Sequence, residues 1–245
     1  MKSTAACQAL DLLPLQAQPI DPNARAFAKP SPIRTVGFLA RGSRRDLCVD
    51  AVLELANLIG RLPACIDLLE QAPHAAAHCQ VDLVLISRSS TDPQSERQRQ
   101  AGQAVLQSGA PVLLLPQGPA QPCLAGERAL IVWDGSLSAL SALRSAVPLL
   151  QQATQVMVVD ASEGAARVAV DAAMTFLDAL PGERLLDLTR LRIDSKPLVL
   201  ETAQLTRADF LVMGGFGRWG ALPDIIDGNS DSSFLRARLP LLLGQ

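Results

Sequence analysis

One pair of apolar runs occurs twice in this chain. "VDLVLISR" (81–88) precedes "GAPVLLLPQ" (109–117), and "ADFLVMGG" (208–215) precedes "RLPLLLGQ" (238–245). Runs this short and this free of polar interruption suit strands buried on both faces, which belong to parallel sheets covered by helices. The spacing repeats too. Asp82 to Pro111 is 29 positions, and Asp209 to Pro240 is 31. Repetition at this scale points to two tandem copies of one unit. Upstream the copies differ: Thr35 to Asp82 is 47 positions, whereas Leu130 to Asp209 is 79. The first copy is therefore short by about one strand–helix unit.

Between these runs, strand-like and helix-like segments alternate, which predicts an α/β fold with open parallel sheets. In the first half, strands are expected at 33–40, 64–70, 81–87 and 110–117. A helix after residue 43 is expected to bury Val49, Val52, Ala56 and Ile59 and to stop at Gly60 and Pro63. A polar helix is expected over 94–108. In the second half, strands are expected at 128–133, 155–161, 184–191, 208–214 and 239–244. Helices are expected with the stripe Leu140, Leu143, Val147 and Leu150, then over 164–180, 197–207 and 229–238. Ser136 fits the N-cap of the first of these, and Pro197 the first turn of the third.

The layout that follows is a leader (1–32), a shortened unit (33–118), a proline- and glycine-rich linker (119–127) and a full unit (128–245). Apolar residues make up 49% of the chain and charged ones 19%, which suits a buried core rather than wholesale disorder. The net charge of −2 supplies no basic face for nucleic acid. Tyrosine is absent, so aromatic stacking of bases is not expected either. No apolar run approaches membrane-spanning length. The five cysteines form no Cys-x-x-Cys pair, as expected in a reducing cytoplasm.

Three loops follow strands in the second half: Asp134-Gly135-Ser136, Asp160-Ala161-Ser162, and the stretch from Gly214. In an open parallel sheet, ligands sit outside these carboxyl ends. Gly214, Gly215 and Gly217 let a backbone approach a ligand closely. A helix starting near Asn229 would aim its N–H groups at the same place.

"ALIVWDGSLSALSALRSAVPLL" with "ADFLVMGGFGRWGALPDIIDGNS" resembles the universal stress protein family, and the whole chain resembles its tandem bacterial members. The resemblance implies two Rossmann-like units packed as a pseudo-dimer and a cytoplasmic stress-response or regulatory role without robust enzymatic activity. ATP-binding members carry Gly-x2-Gly-x9-Gly-(Ser/Thr) after the fourth strand and an aspartate at the end of the first. Asp134 matches that aspartate, and Gly214 and Gly217 match the first two glycines. By this resemblance a nucleotide would meet Trp133, Asp134, Ala161, Met213, Gly214, Gly217, Gly228, Asn229 and Ser230.

The pattern then breaks. Ten residues separate Gly217 from Gly228, so either one residue is inserted or the glycine position is Asp227. Asn229 stands where Ser or Thr is expected. The same loop carries one cation, Arg218, to three aspartates, Asp224, Asp227 and Asp231, a net −2. A carboxylate ~4 Å from a phosphate costs ~4 kcal/mol at an effective dielectric of 20. The expectation is a degenerate site with no cofactor. The alternative is an ATP/AMP switch with slow hydrolysis, in which Mg²⁺ offsets the carboxylates.

Other motifs carry less. Arg41, Arg44, Arg45 and Arg88 suit an anion pocket or a solvated helix start. His74, His78 and Cys79 lack a second ligand cluster for zinc. Neither histidine is placed to serve Ser136 as a nucleophile. The apolar runs "PVLLLP" and "LPLLLG" suit pairing across the interface between the two units; a homodimer through last strands or domain faces is expected as well, alongside an unidentified protein partner.

Overall fold

The computed structural model describes residues 27, 32–39, 44–68, 81–87, 105–116, 124, 126–162, 168–190, 195–216, 221, 234 and 238–245. The strands among them are β1 (Thr35–Leu39), β2 (Ala64–Asp67), β3 (Leu83–Ser87), β4 (Val112–Leu115), β5 (Arg128–Trp133), β6 (Gln155–Asp160), β7 (Leu185–Arg190), β8 (Phe210–Gly214) and β9 (Leu241–Gly244). The helices are α1 (Arg44–Ile59), α2 (Leu137–Ser145), α3 (Val147–Leu150), α4 (Val170–Asp178) and α5 (Lys196–Leu205).

All nine strands join one sheet, in the order β2-β1-β3-β4-β9-β8-β5-β6-β7. Every neighbouring pair is parallel except β4 and β9, which run antiparallel. With β7 set aside, the order reads the same outward from that seam on both sides. The strand lacking a counterpart is thus the third of the second series.

Side-chain alternation sorts the strands onto two faces. Leu113 and Leu242 face one cluster with α1, α2, α3 and α4. Val112, Leu114, Leu241 and Leu243 face the other, with Val199 and Ala203 of α5, Ala221 and Phe234. All four residues of β4 and all four of β9 are buried. A fully buried Val or Leu contributes about 1.5–3 kcal/mol, so side chains on both faces hold these two short strands in place.

The repeated Asp and Pro recur as repeated hydrogen bonds. Asp82 N–H donates to the Thr35 carbonyl at 2.8 Å, and Thr35 N–H donates back to Asp82 Oδ2 at 2.8 Å. Asp209 and Arg128 form the same ring, also at 2.8 Å each way. Pro111 accepts from Val84 at 2.9 Å, as Pro240 accepts from Leu211 at 3.0 Å. Each aspartate therefore ties the start of a fourth strand to the start of a first.

Several expectations need correction. In α1 the buried residues are Cys48, Ala51, Val52 and Leu55, while Val49 is 52% exposed. The small Cys48 and Ala51 sit against the sheet, and the helix is rotated from the valine stripe. The stripe Leu140–Leu150 is divided between α2 and α3 around Ala146, just before Pro148. Helix α4 begins at Val170 rather than 164, and residues 163–167 lie outside the described residues. Most of the helices expected over 94–108 and 229–238 also lies outside them; 105–108 are helical. Strands β4 and β9 pair with each other inside the chain, each with a second neighbour on its far edge. The two apolar runs thus pair with each other, as expected.

Two connecting segments are anchored. Phe27 of the leader stacks on Phe176 of α4 with ring centroids 5.1 Å apart. Leu124 of the linker is fully buried, and its N–H donates to Glu54 Oε2 at 2.7 Å. No helix among the described residues is long and apolar enough to cross a membrane.

Candidate functional site

The carboxyl ends of β8, β5 and β6 lie side by side, with Trp133 opposite Asp160 and Val132 opposite Met213. The chain leaves β5 through α2 on one face of the sheet. The buried Ala221 and Phe234, between β8 and β9, sit on the other. In open parallel sheets the carboxyl ends at such a reversal of strand order are the usual ligand position.

The turn after β5 is built from three residues. Gly135 has φ +72°, a conformation that disfavours a side chain. Asp134 Oδ1 accepts the Ser136 N–H at 2.9 Å, closing an Asx turn. Ser136 Oγ then accepts the Ala139 N–H at 3.0 Å and caps α2 as expected. Its hydroxyl also meets Ser138 Oγ at 3.0 Å.

Gly214 completes this cluster from β8. A Cβ there would lie 2.6 Å from Ser138 Oγ and 3.0 Å from Ala139 N. Its partner across the ladder is Gly244 of β9. A Cβ on Gly244 would lie 1.9 Å from the Ser138 carbonyl oxygen and 2.4 Å from Ala142 N. Two glycines side by side thus let the first turns of α2 rest on bare backbone. Gly215 N–H donates to the Gly244 carbonyl at 2.8 Å beyond them.

The third loop is closed on itself. Asp160 Oδ1 accepts both the N–H of Ser162 at 3.1 Å and its hydroxyl at 2.5 Å. Ala161 N–H donates to the Trp133 carbonyl at 2.7 Å. The Trp133 indole N–H donates to the Val168 carbonyl at 3.2 Å, and Val168 N–H donates to the Gly135 carbonyl at 3.1 Å.

Asp134 and Gly214 are therefore brought together, across the start of α2. Trp133, Ala161 and Met213 are 0%, 5% and 1% exposed, so their side chains belong to the core. Any contact they make with a ligand is through backbone. Gly217, Gly228, Asn229 and Ser230 lie outside the described residues, as do His74, His78, Cys79, Arg41 and Arg88. Ser138 and Gly244 are participants that the sequence reading missed. The glycine ending an otherwise apolar run, "LPLLLG", was the available signal.

The hydroxyls of Ser136 and Ser138 are spent on each other and on the helix start, and no histidine is among the described residues. Ser136 acts as a cap. Among the described residues no three His, Cys, Asp or Glu side chains cluster to hold a metal. Outside the site, burial foremost and then Asp67 push the Cys48 thiol up to about 12, and burial raises Cys65.

No protein-family model matches the chain, and no curated protein matches it. Among solved structures it is similar to a universal stress protein from Archaeoglobus fulgidus DSM 4304, at 14% identity and TM-score 0.46, covering 87% of this chain and 86% of that one. It is also similar to an N-acetyl-L-ornithine transcarbamylase mutant complexed with carbamyl phosphate and N-succinyl-L-norvaline, at 13% identity and TM-score 0.23, covering 84% and 71%. An acetylornithine transcarbamylase complexed with acetylcitrulline follows at 12% and 0.22, covering 86% and 76%. These similarities carry no functional weight; the α/β class rests on the strand order and on helices packed against both faces of the sheet.

Proposed function

We propose that this chain is a cytoplasmic regulatory protein of the universal-stress type that acts through interaction rather than catalysis. In this reading it comprises two tandem units packed as a pseudo-dimer, the first lacking one strand–helix unit. The strand-end site of the second unit is a degenerate nucleotide site. The observation that carries the reading is the closed cluster of Asp134, Ser136, Ser138 and Gly214. The glycine is accounted for by the approach of α2 and needs no phosphate to explain it. The aspartates at 224, 227 and 231 support the same conclusion from charge.

One observation favours a second reading, an ATP/AMP switch. Only one oxygen of Asp134 is engaged among the described residues, in a turn at the carboxyl end of β5. The second oxygen could accept from a ribose or an adenine amine. The test is to denature the purified protein, resolve the supernatant by anion exchange, and titrate the native protein with Mg-ATP by calorimetry. The first reading expects no released nucleotide and no heat up to millimolar ATP. ATP or AMP near one equivalent would overturn it in favour of the switch.

A further inference from the structure

A cavity of about 840 Å³ lies along the flank of α2 that faces the first strand series. One wall is the α2–α3 stripe of Leu137, Leu140, Arg144 and Val147. The other is the amino end of the first series: Ile33 before β1, Pro111 before β4, and Leu58 of α1. These walls come together because β4 and β9 are antiparallel, which sets the amino ends of one series beside the carboxyl ends of the other. The size falls within the ~300–1,000 Å³ typical of small-molecule sites.

Three polar side chains on the wall are already engaged. Asp82 Oδ2 accepts from the N–H groups of Arg34 and Thr35 at 2.7 and 2.8 Å. Arg61 donates to the Ile33 carbonyl at 2.5 Å. Ser108 donates to the Val105 carbonyl and accepts from Ala110 N–H. Arg144 differs: its Nε is buried and has no hydrogen-bond partner. That N–H is closed to solvent, so an anion in the cavity would meet the terminal N–H groups of the half-buried Arg144. The described charges on the wall are Arg61, Arg144 and Asp82, a net of +1.

We propose that this cavity binds a small amphipathic monoanion, an apolar body bearing one carboxylate, with Arg144 as the partner of the carboxylate. A single planar carboxylate matches both the net charge and the fork of the guanidinium. The apolar body lies against Leu58, Leu140 and Val147. This inference does not depend on the state of the nucleotide site.

The probe is decanoate, below its micellar range, titrated into the full chain by calorimetry, with decanol as the uncharged control. Saturable binding at one equivalent is expected, with decanoate preferred over decanol by about tenfold. Arg144→Met should remove that preference while the thermal midpoint holds or rises. Ser141→Phe, which fills the cavity from α2, should weaken decanoate by about tenfold or more. The proposal is overturned if decanoate does not saturate, binds no better than decanol, or is indifferent to Ser141→Phe. The decanoate–decanol comparison on the unaltered chain decides the matter even if Arg144→Met fails to fold.

Discussion

The two strand series share a frame and differ at one rim. Both tie a first strand to a fourth through an aspartate, Asp82 or Asp209, with the same ring of hydrogen bonds. At the other end of the same strands the pairs diverge. Ser87 stands beside Leu115 in the first series, and Gly214 stands beside Gly244 in the second. The first pair carries side chains where the second has none. Bare backbone at the second admits the first turns of α2, with Ser138 against both glycines. The frame and the site are thus separable: the aspartate ring persists where the glycine pair does not.

Carrying the first series' character into the second should break this arrangement. Gly244→Ala puts a Cβ 1.9 Å from a carbonyl oxygen of α2, with backbone on both sides and no flexible side chain to yield. A loss of more than about 3 kcal/mol is expected by urea unfolding, or no folded protein at all. A fully stable Gly244→Ala protein would sink the account of the glycine pair.

Removing the shared frame should cost less and should distinguish the two rings. Asp82 accepts from two backbone N–H groups, and Asp209 from one among the described residues. Asp82→Ala is expected to cost about 2 kcal/mol and Asp209→Ala about 1 kcal/mol. The double variant should be close to additive, since the two rings share no residue. Equal costs, or a larger cost at Asp209, would mean that the ring count does not set the energy.

The smallest effect at neutral pH concerns Cys48 and Cys65. Cys48 is buried and Cys65 exposed. At pH 8, alkylation followed by peptide mapping should modify Cys65 readily and Cys48 only on unfolding. The Cys48 thiol keeps its proton in the folded state up to about pH 12, whereas its ordinary value is 9.0. Between these limits the unfolded chain has lost a proton that the folded chain holds. Stability should therefore fall as pH rises from about 9 towards 12, and Cys48→Ala should flatten that slope.

Much of the sheet was legible because runs such as "VLLL" and "LIVW" leave little but a doubly buried strand. Residue Ser136 was legible as a cap for the same local reason. The orientation of α1 was not. The buried stripe is displaced by one residue from the expected one, toward the small Cys48 and Ala51. The repeated Asp-Pro spacing was visible, but the partners of Asp82 and Asp209 lie 47 and 81 positions away in sequence. The role of Gly214 was read as an approach to a ligand. Distinguishing that from an approach to α2 requires knowing that Gly244 is its neighbour, a fact of register and not of local sequence. The cavity along α2 was invisible for a stronger reason: its walls meet only across the antiparallel seam.

That seam also has a consequence for biosynthesis. Strand β9 is the last of the nine to emerge during translation, yet it occupies the middle of the sheet. Until it arrives, β4 and β8 each present an open edge flanked by buried-type leucines, and such edges recruit strands from other chains. The newborn protein therefore passes through its most adhesive state between the emergence of β8 and that of β9. Binding by a holdase that covers those edges would matter most in that interval.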